Sequence, residues 1–423
     1  MSAFDNIIGY RREKEELIRM CDALQHPEKY EALGVRLPPA LLLYGAPGLG
    51  KTLFANTLIE ESGLPCFACR KDRADGDFVA SIAETFSNAA ANAPSIVFLD
   101  DMDKFAEDNL QQDSNKEEFA TIQSCMENVR GKRVFVLATA NDIENIPESL
   151  MRVGRLGRQI EFSAPSESDA AEIIRHYCCG KPISKEMSAE TLARILNGKS
   201  CAVLEEVVNE AGLLAGYENS SEIGRDHLIR AVLQTVFQIV PNDEPTDARR
   251  KSLMAYHEAG HAVAALSFGQ KIGIISYNAY DLVGVCAVNN AKVMMTFRDI
   301  LNDATVSLAG KAAVELKFGE ADNGCGKDIG EATERIRGAM TKNCAVGFGY
   351  GYDRHSYDNR QAWDRVESIS RKLYDIIDDC YQKAMCILKS NVELLDAIAS
   401  ELQTRSALIA DDFDEMLLAH PIK

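Results

Sequence analysis

Residues 45–52 read Gly-Ala-Pro-Gly-Leu-Gly-Lys-Thr, and they follow an apolar run, Leu-Leu-Leu-Tyr, at residues 41–44. The pattern G-x-x-x-x-G-K-[ST] between a strand and a helix is typical of a loop that wraps phosphates. Glycines let backbone N–H groups turn inward, the lysine reaches the terminal phosphates, and the threonine hydroxyl ligates Mg²⁺. A plain glycine-rich turn is the alternative, which the strand before and the helix after disfavour. The predicted nucleotide-binding residues are Gly45, Pro47, Gly48, Gly50, Lys51 and Thr52.

Two later apolar segments also end in polar residues that suit a nucleoside triphosphate. Ser95–Leu99 runs directly into Asp100 and Asp101. At the tip of such a strand Asp100 is predicted to serve the metal, and Asp101 the attacking water. A further segment, Val134–Ala140, ends at Asn141, whose side chain is predicted to sense the γ-phosphate.

Strand and helix patterns alternate from about residue 4 to residue 165, which predicts an α/β domain with a parallel sheet covered by helices. The predicted strands are Ala40–Tyr44, Ser95–Leu99 and Arg133–Ala138, and one predicted helix is Gly50–Glu61. Only helices are predicted from residue 166 to about 240, and a polar, proline-broken stretch at 241–247 marks a boundary. Beyond it the chain is predicted to be mostly helical, with a weak strand region at Ile272–Asn289. The predicted domains are 1–165, 166–242 and 243–423.

A second chemical motif, H-E-x-x-H at residues 257–261, lies in a stretch predicted to be helical from Leu253 to Phe268. Positions i and i+4 share one helix face, so His257 and His261 can bind one Zn²⁺ while Glu258 lies beside the bound water. Zinc lowers the pKa of that water towards about 7, and Glu258 can take its proton as general base. Two histidines with a purely structural role are the alternative. Gly260 costs the helix about 1 kcal/mol relative to alanine, which predicts close packing near the metal.

The third zinc ligand is not decided by spacing. A catalytic zinc site uses three protein ligands and keeps one open position. A histidine six residues after the motif is absent, because Ser267 occupies that place. The remaining candidates are Glu315, Glu320, Asp322 and Asp328. Cys325 is a possible competitor for the metal, although an ordinary buried thiol is the simpler interpretation.

Three arginines, Arg152, Arg155 and Arg158, follow the strand that ends at Asn141. Taken alone, they are typical surface cations. Together with the phosphate loop and the acidic strand, they make residues 4–240 resemble an AAA+ ATPase module, in which the helical stretch 166–240 is the small lid domain. By that resemblance Arg152 and Arg155 are arginine fingers that act on the ATP of a neighbouring subunit, which implies a ring, usually a homo-hexamer.

The stretches Leu308–Gly319 and Gly326–Thr333 extend the similarity to the FtsH-type ATP-dependent zinc proteases, over nearly the whole chain. In that family the aspartate that matches Asp328 completes the zinc site, so the resemblance implies His257, His261 and Asp328 as ligands. It also implies Zn²⁺, ATP and Mg²⁺ as cofactors. Unfolded or damaged proteins are the implied substrates, which such a ring unfolds and threads into a zinc peptidase chamber.

The sequence departs from that family in four places. No apolar run is long enough for a membrane helix and the ATPase module begins at residue 4, so we expect a member without a membrane anchor. Asp101 stands where the family carries Glu, and its shorter side chain can slow hydrolysis. The aromatic grip of the family's pore loop is replaced by residues 74–76, Ala-Asp-Gly, and Phe78 is the nearest aromatic, equally suited to the core. Tyr177 stands where the family has a histidine near the adenine.

Composition constrains partners and location. The 423 residues carry a formal net charge of −18, which argues against nucleic-acid or anionic-membrane binding, because those surfaces require clustered lysine and arginine. Twelve cysteines and a polar, charged N-terminus predict reduced thiols in a cytoplasmic protein. The pair Cys66-x-x-Cys69 has no second pair at zinc-binding spacing and is predicted to lie in the core near a strand.

The motifs together predict an ATP-dependent zinc metalloendopeptidase. An alternative keeps the zinc peptidase but has an impaired, mainly structural ATPase, so that only flexible or unfolded chains are cleaved. The departures at Asp101 and at the pore loop motivate that alternative. A clamp loader or helicase belongs to another class, and both the acidic charge and the H-E-x-x-H motif count against it.

Overall fold

The computed structural model describes residues 2–71, 78–106, 114–239, 247–278, 283–289, 295–320, 324–347, 350, 359–405 and 407–423. They form two compact units. The first comprises Met1–Gly180 and Gly198–Val208, and the second comprises Lys181–Asn197 and Asn209–Lys423. The three predicted domain boundaries remain predictions.

The first unit is built on a five-stranded parallel sheet with the strand order β2-β3-β4-β1-β5. Its strands are β1 Ala40–Tyr44, β2 Cys66–Cys69, β3 Ser95–Leu99, β4 Val134–Ala140 and β5 Gln159–Glu161. Its helices are α1 Arg11–Gln25, α2 Pro27–Glu31, α3 Lys51–Ser62, α4 Phe78–Ala91, α5 Ser114–Asn128 and α6 Glu167–Cys178. Short 3-10 helices span Ala3–Asn6, Met102–Ala106 and Ile143–Asn145. The predicted α/β class is confirmed.

The central strands of this sheet fix where polar residues meet. Every residue of β3 and β4 is buried, as expected for parallel strands covered on both faces by helices. The first four residues of β1 are buried as well. Because the strands are parallel, their carboxyl ends lie at one edge of the sheet, the usual place for ligand binding in such folds. The residues that follow β1, β3 and β4 are therefore brought together.

The second unit is mainly helical, as predicted, with a three-stranded antiparallel sheet of order β7-β6-β8. Its helices are α7 Ala189–Ile195, α9 Arg225–Phe237, α10 Ala248–Ser267, α11 Phe297–Phe318, α12 Gly326–Thr341, α13 Asn359–Ser390, α14 Val392–Arg405 and α15 Ala410–Ala419. Its strands are β6 Lys271–Asn278, β7 Val283–Asn289 and β8 Ala407–Ile409. Helix α8, Cys201–Tyr217, begins in the first unit and ends in the second.

Helices α10 and α11 pack unusually closely. A Cβ atom on Gly260 would lie 2.4 Å from the Ala309 carbonyl oxygen and 2.6 Å from the Ala313 Cβ. Both alanines are fully buried in a core cluster that also contains β6 and α14 residues. Glycine destabilises a helix by about 1 kcal/mol relative to alanine. Helix α10 has a glycine here because no larger residue fits between the two helix backbones. The predicted close packing at Gly260 is confirmed.

Polar contacts join α7 and α9 to α15 within the second unit. Arg225 Nη2 donates to both carboxylate oxygens of Asp412, at 2.9 and 2.8 Å. Thr191 Oγ1 donates to Asp411 Oδ2 at 2.8 Å. Helices predicted to form a lid are thus held against the C-terminal helix by charge-assisted hydrogen bonds, which are stronger than neutral ones.

In the described ranges, every helix is either too short or too polar to cross a bilayer. The twelve cysteines form no disulfide, and Cys69 is buried in the sheet core as predicted. Phe78 packs edge-on against Phe105, with ring centroids 4.9 Å apart, in the same core. That contact supports the core interpretation of Phe78. The predicted pore-loop residues 74–76 lie outside the described residues.

Candidate functional site

Helix α10 places two imidazoles on one face, and α12 brings a carboxylate to them. The Nε2 atoms of His257 and His261 are 3.1 Å apart. Asp328, in the first turn of α12, has its Oδ2 3.1 Å from His257 Nε2 and 3.6 Å from His261 Nε2. All three ligand atoms lie within 4.8 Å of one another. Two imidazoles and one carboxylate match the three-ligand set of a catalytic zinc, which leaves one position open.

Hydrogen bonding prepares His261 to bind a metal through Nε2. Its Nδ1 donates to the Val306 carbonyl oxygen, 2.7 Å away on α11. An N–H on Nδ1 leaves the lone pair of Nε2 for the cluster, the arrangement seen for most histidine ligands. The residues present therefore fit Zn²⁺. Sequence reasoning did not find Val306, since a backbone carbonyl leaves no signature in side-chain types.

The side chains of His257, His261 and Asp328 compensate one another's charge. Burial lowers the pKa of His261, but its hydrogen bond to Asp328 and the nearby carboxylates raise that pKa to about 9 overall. Burial opposes ionisation of Asp328, but the hydrogen bonds from His257 and His261 hold its pKa well below the usual range. A proton on the imidazole thus compensates the carboxylate. A divalent cation takes the place of that proton when it binds.

Glu258 lies beside the cluster in a nearly closed space and is 5% exposed. Burial raises the pKa of its carboxyl, which the two neighbouring imidazoles lower less strongly. A raised pKa suits a group that must take up and release a proton. A Cβ atom on Gly284 of β7 would lie 1.9 Å from Glu258 Oε1, so the carboxylate occupies room that only glycine leaves.

Gly310 of α11 provides the floor of the zinc cluster. A Cβ atom there would lie 2.5 Å from His261 Nε2 and 2.7 Å from His257 Nε2. A larger residue at position 310 would push the two imidazoles away from the position at which both can bind one metal ion. Sequence reasoning missed this role, although a glycine in the interior of a predicted helix was a usable signal.

The other acidic candidates for third ligand are engaged elsewhere. Glu315 pairs with the Lys311 ammonium and accepts the Tyr381 hydroxyl, and Glu320 pairs with Arg249. Asp322 lies outside the described residues. Cys325, at the N-terminus of α12, is a buried thiol and does not belong to the histidine–aspartate cluster.

The loop predicted to bind phosphates lies between β1 and α3. Gly48 and Gly50 have φ values of +76° and +87°, a left-handed conformation that favours glycine. Lys51 begins α3, and its Nζ donates to the Gly45 and Ala46 carbonyl oxygens at 2.7 and 2.8 Å. Burial lowers the pKa of Lys51. Gly45 and Pro47 lie in the same loop, between β1 and α3.

The predicted polar residues converge on this loop. Lys51 Nζ also donates to Asn141 Oδ1 at 2.8 Å, and Thr52 Oγ1 donates to Asp100 Oδ1 at 3.2 Å. The side chain of Asp101 is linked to Asn141, whose Nδ2 lies 3.5 Å from Asp101 Oδ1. Oxygen ligands and a lysine at one sheet edge fit Mg²⁺ and a triphosphate.

Sequence reasoning did not identify several groups that hold these residues in place. Thr139 Oγ1 donates to Asp100 Oδ1 at 2.8 Å and accepts the Asp101 backbone N–H at 2.9 Å. Asp103, also buried, accepts the Asn141 backbone N–H at 2.9 Å. Arg70 forms an ion pair with Asp100. These contacts join residues far apart in the chain, so spacing could not reveal them.

A cavity of about 290 Å³ adjoins the phosphate loop. Its lining includes Ile7, Ile8, Gly48, Tyr177 and Glu205. Burial, followed by the nearby Glu205 carboxylate, raises the pKa of Tyr177 to about 12, so the hydroxyl stays neutral. An apolar cleft that ends at a phosphate loop fits the base and ribose of a nucleotide.

The two predicted arginine fingers differ in their surroundings. Arg152 is exposed. Arg155 is half-buried: its Nη1 donates to the Ser149 carbonyl oxygen at 2.6 Å, and its Nη2 pairs with Glu127.

Two protein families match separate parts of this chain. The ATPase family associated with various cellular activities (AAA) matches residues 41–164, and peptidase family M41 matches residues 245–416. The chain therefore combines an AAA domain with an M41 peptidase region.

Similar proteins align with nearly the whole chain, across both of these regions. The "ATP-dependent zinc metalloprotease FtsH 1" of Thermomicrobium roseum is 30% identical over 98% of this chain and 68% of its own length. Proteins named "ATP-dependent zinc metalloprotease FtsH" from Aster yellows witches'-broom phytoplasma and Ruminiclostridium cellulolyticum are 30% and 28% identical, over 64% and 71% of their lengths. The chain thus spans less than two thirds of the phytoplasma protein. It belongs to the FtsH family of ATP-dependent zinc metalloproteases.

The role of Gly310 is testable through metal content. Gly310→Ala is expected to weaken zinc binding about tenfold or more, because the new methyl group displaces both imidazoles. Zinc retained after dialysis against a competing chelator, measured by mass spectrometry, checks this. Gly338→Ala on α12 is the matched control, since its Cβ would meet nothing within 4 Å, and it is expected to keep its zinc. Equal retention in both variants would contradict the proposed floor.

Proposed function

We propose that this chain is an ATP-dependent zinc metalloendopeptidase that unfolds and degrades proteins. The observation that carries the proposal is the convergence of His257, His261 and Asp328 beside the buried Glu258. Family membership supports it, as does the convergence of Lys51 and its partners at the phosphate loop.

The zinc half is proposed to work through residues of α10 and α12. His257, His261 and Asp328 would hold the metal, which would supply a Lewis acid for the scissile carbonyl and make a water acidic enough to react near neutral pH. Glu258 takes the proton of the attacking water. The same carboxyl then delivers that proton to the departing amine nitrogen, which its raised pKa favours.

The ATP half is proposed to work through the edge of the parallel sheet. Gly45, Pro47, Gly48 and Gly50 shape the loop that wraps the phosphates, and Lys51 reaches their terminal oxygens. Thr52 and Asp100 serve Mg²⁺, Asp101 polarises the attacking water, and Asn141 senses the γ-phosphate. The nucleotide base is proposed to lie in the adjoining cavity, against Tyr177 and Glu205.

Assembly is proposed to complete the ATP site. Arg152 and Arg155 act as arginine fingers on the ATP of a neighbouring subunit, in a homo-hexameric ring. The exposure of Arg152 supports this role, because a guanidinium that reaches another chain must be accessible in the single subunit. The pairing of Arg155 with Glu127 makes Arg152 the better placed of the two.

Substrates and location are proposed from chemistry. Unfolded or damaged proteins are the substrates, and the net charge of −18 gives no support to a nucleic-acid partner. A cytoplasmic location suits twelve cysteines without a disulfide. The alternative with a mainly structural ATPase is not favoured by the comparisons, since the relatives are named as ATP-dependent.

Glu258→Gln tests the peptidase half. The variant is expected to lose peptide cleavage by about 10²-fold or more, because the amide cannot accept the proton of the attacking water. Bound zinc, measured on the same sample, is expected to remain, since Glu258 is not a ligand. Cleavage that persists in a zinc-loaded variant would show that another group is the base.

Asp101→Asn tests the ATPase half. ATP hydrolysis is expected to fall about 10²-fold, while nucleotide affinity stays within about threefold, because the side chain acts on the water rather than on the phosphates. Phosphate release and nucleotide binding are measured side by side. Glu144→Gln, an exposed change beyond the end of β4, is the control and should hydrolyse ATP normally. Undiminished hydrolysis in Asp101→Asn would remove Asp101 from the mechanism.

A further inference from the structure

An arginine side chain of the protein lies beside Asp100, the carboxylate that is proposed to serve Mg²⁺ in the nucleotide site. Arg70 follows β2 directly, and its Nη2 forms an ion pair with Oδ2 of Asp100. The Asp100 side chain is 3% exposed, whereas that of Arg70 is 57% exposed. A buried carboxylate is therefore neutralised by a guanidinium that can withdraw towards solvent.

The second oxygen of the same carboxylate faces the phosphate loop. Asp100 Oδ1 accepts hydrogen bonds from Thr52 Oγ1 at 3.2 Å and from Thr139 Oγ1 at 2.8 Å. Thr52 supplies the hydroxyl that suits Mg²⁺ in this kind of loop. A magnesium ion between Thr52 and Asp100 would thus share one carboxylate with Arg70.

We infer that Arg70 is a positioning residue of the nucleotide site that competes with Mg²⁺ for Asp100 and lets the site hold nucleotide without metal. This inference rests on the ATP binding of the proposed function. Mg²⁺ and a guanidinium on one carboxylate repel each other, so metal binding displaces Arg70 into solvent. Without metal, Arg70 cancels the charge of Asp100, which would otherwise repel a triphosphate.

The adjacent lysine does not share this role. Lys71 Nζ donates to the Phe105 carbonyl oxygen at 3.1 Å and lies 3.5 Å from the Glu118 carboxylate. The Lys71 side chain is buried in this environment. The two neighbouring cations after β2 thus have different partners, and Arg70 is the one directed at Asp100.

A ratio of two binding constants tests the competition. The full chain is titrated with mant-ATP, a fluorescent ATP analogue, once with excess MgCl₂ and once with EDTA. In Arg70→Gln the ratio of the metal-free to the magnesium dissociation constant is expected to rise about tenfold, because magnesium loses its competitor and metal-free nucleotide meets an uncompensated Asp100. Each ratio is measured on one sample, so the fraction of folded protein cancels.

Arg19→Gln is the matched control, an exposed arginine of α1 near Glu16, and its ratio should equal that of the unchanged protein. A ratio in Arg70→Gln that is unchanged or lower would overturn the inference, since Arg70 would then be indifferent to the metal or would support it. Failure of the unchanged protein to bind mant-ATP under both conditions would instead contradict the proposed function.

Discussion

The second unit depends on one electrostatic constraint, the need to compensate the partly buried Asp328 carboxylate beside two imidazoles. Asp328 Oδ2 lies 3.1 Å from His257 Nε2 and 3.6 Å from His261 Nε2, and this proximity raises the pKa of His261 and lowers that of Asp328. The surroundings are shaped to permit this contact. Gly310 leaves room at the imidazoles and Gly284 leaves room at Glu258, while Gly260 lets α10 and α11 approach. A bound metal ion would compensate the carboxylate in the same way as a proton on the imidazole.

The first unit also brings charged groups together in a partly buried site, but it does so at the edge of a parallel sheet. Parallel strands deliver Asp100 and Asn141 to one sheet edge, where the loop after β1 presents Lys51. Buried charges there are paired with opposite charges or hydrogen-bonding groups, as buried charges must be. Arg70 and Lys51 compensate acidic and polar groups at the positions where metal and phosphate are proposed to bind.

Sequence reasoning succeeded where the chemistry is local in the chain. The phosphate loop and the H-E-x-x-H helix each place their key residues within a few positions, so spacing alone predicts them. Asp328 lies 71 residues beyond His257 in the chain. Spacing therefore left four candidates for the third zinc ligand. Arg70 and Gly284 could not be predicted, because their roles arise from tertiary contacts between distant segments. The three-residue strands β5 and β8 also escaped prediction, since so short a segment shows no periodicity.

The proposed function couples ATP hydrolysis to zinc-dependent peptide cleavage in one chain. Degradation of a stably folded protein and of an unstructured protein, each with and without ATP, tests this coupling. The folded substrate is expected to disappear only when ATP is present and hydrolysable, because unfolding precedes cleavage. Persistence of the folded substrate in ATP, together with cleavage of the unstructured one at the same rate with and without ATP, would contradict it.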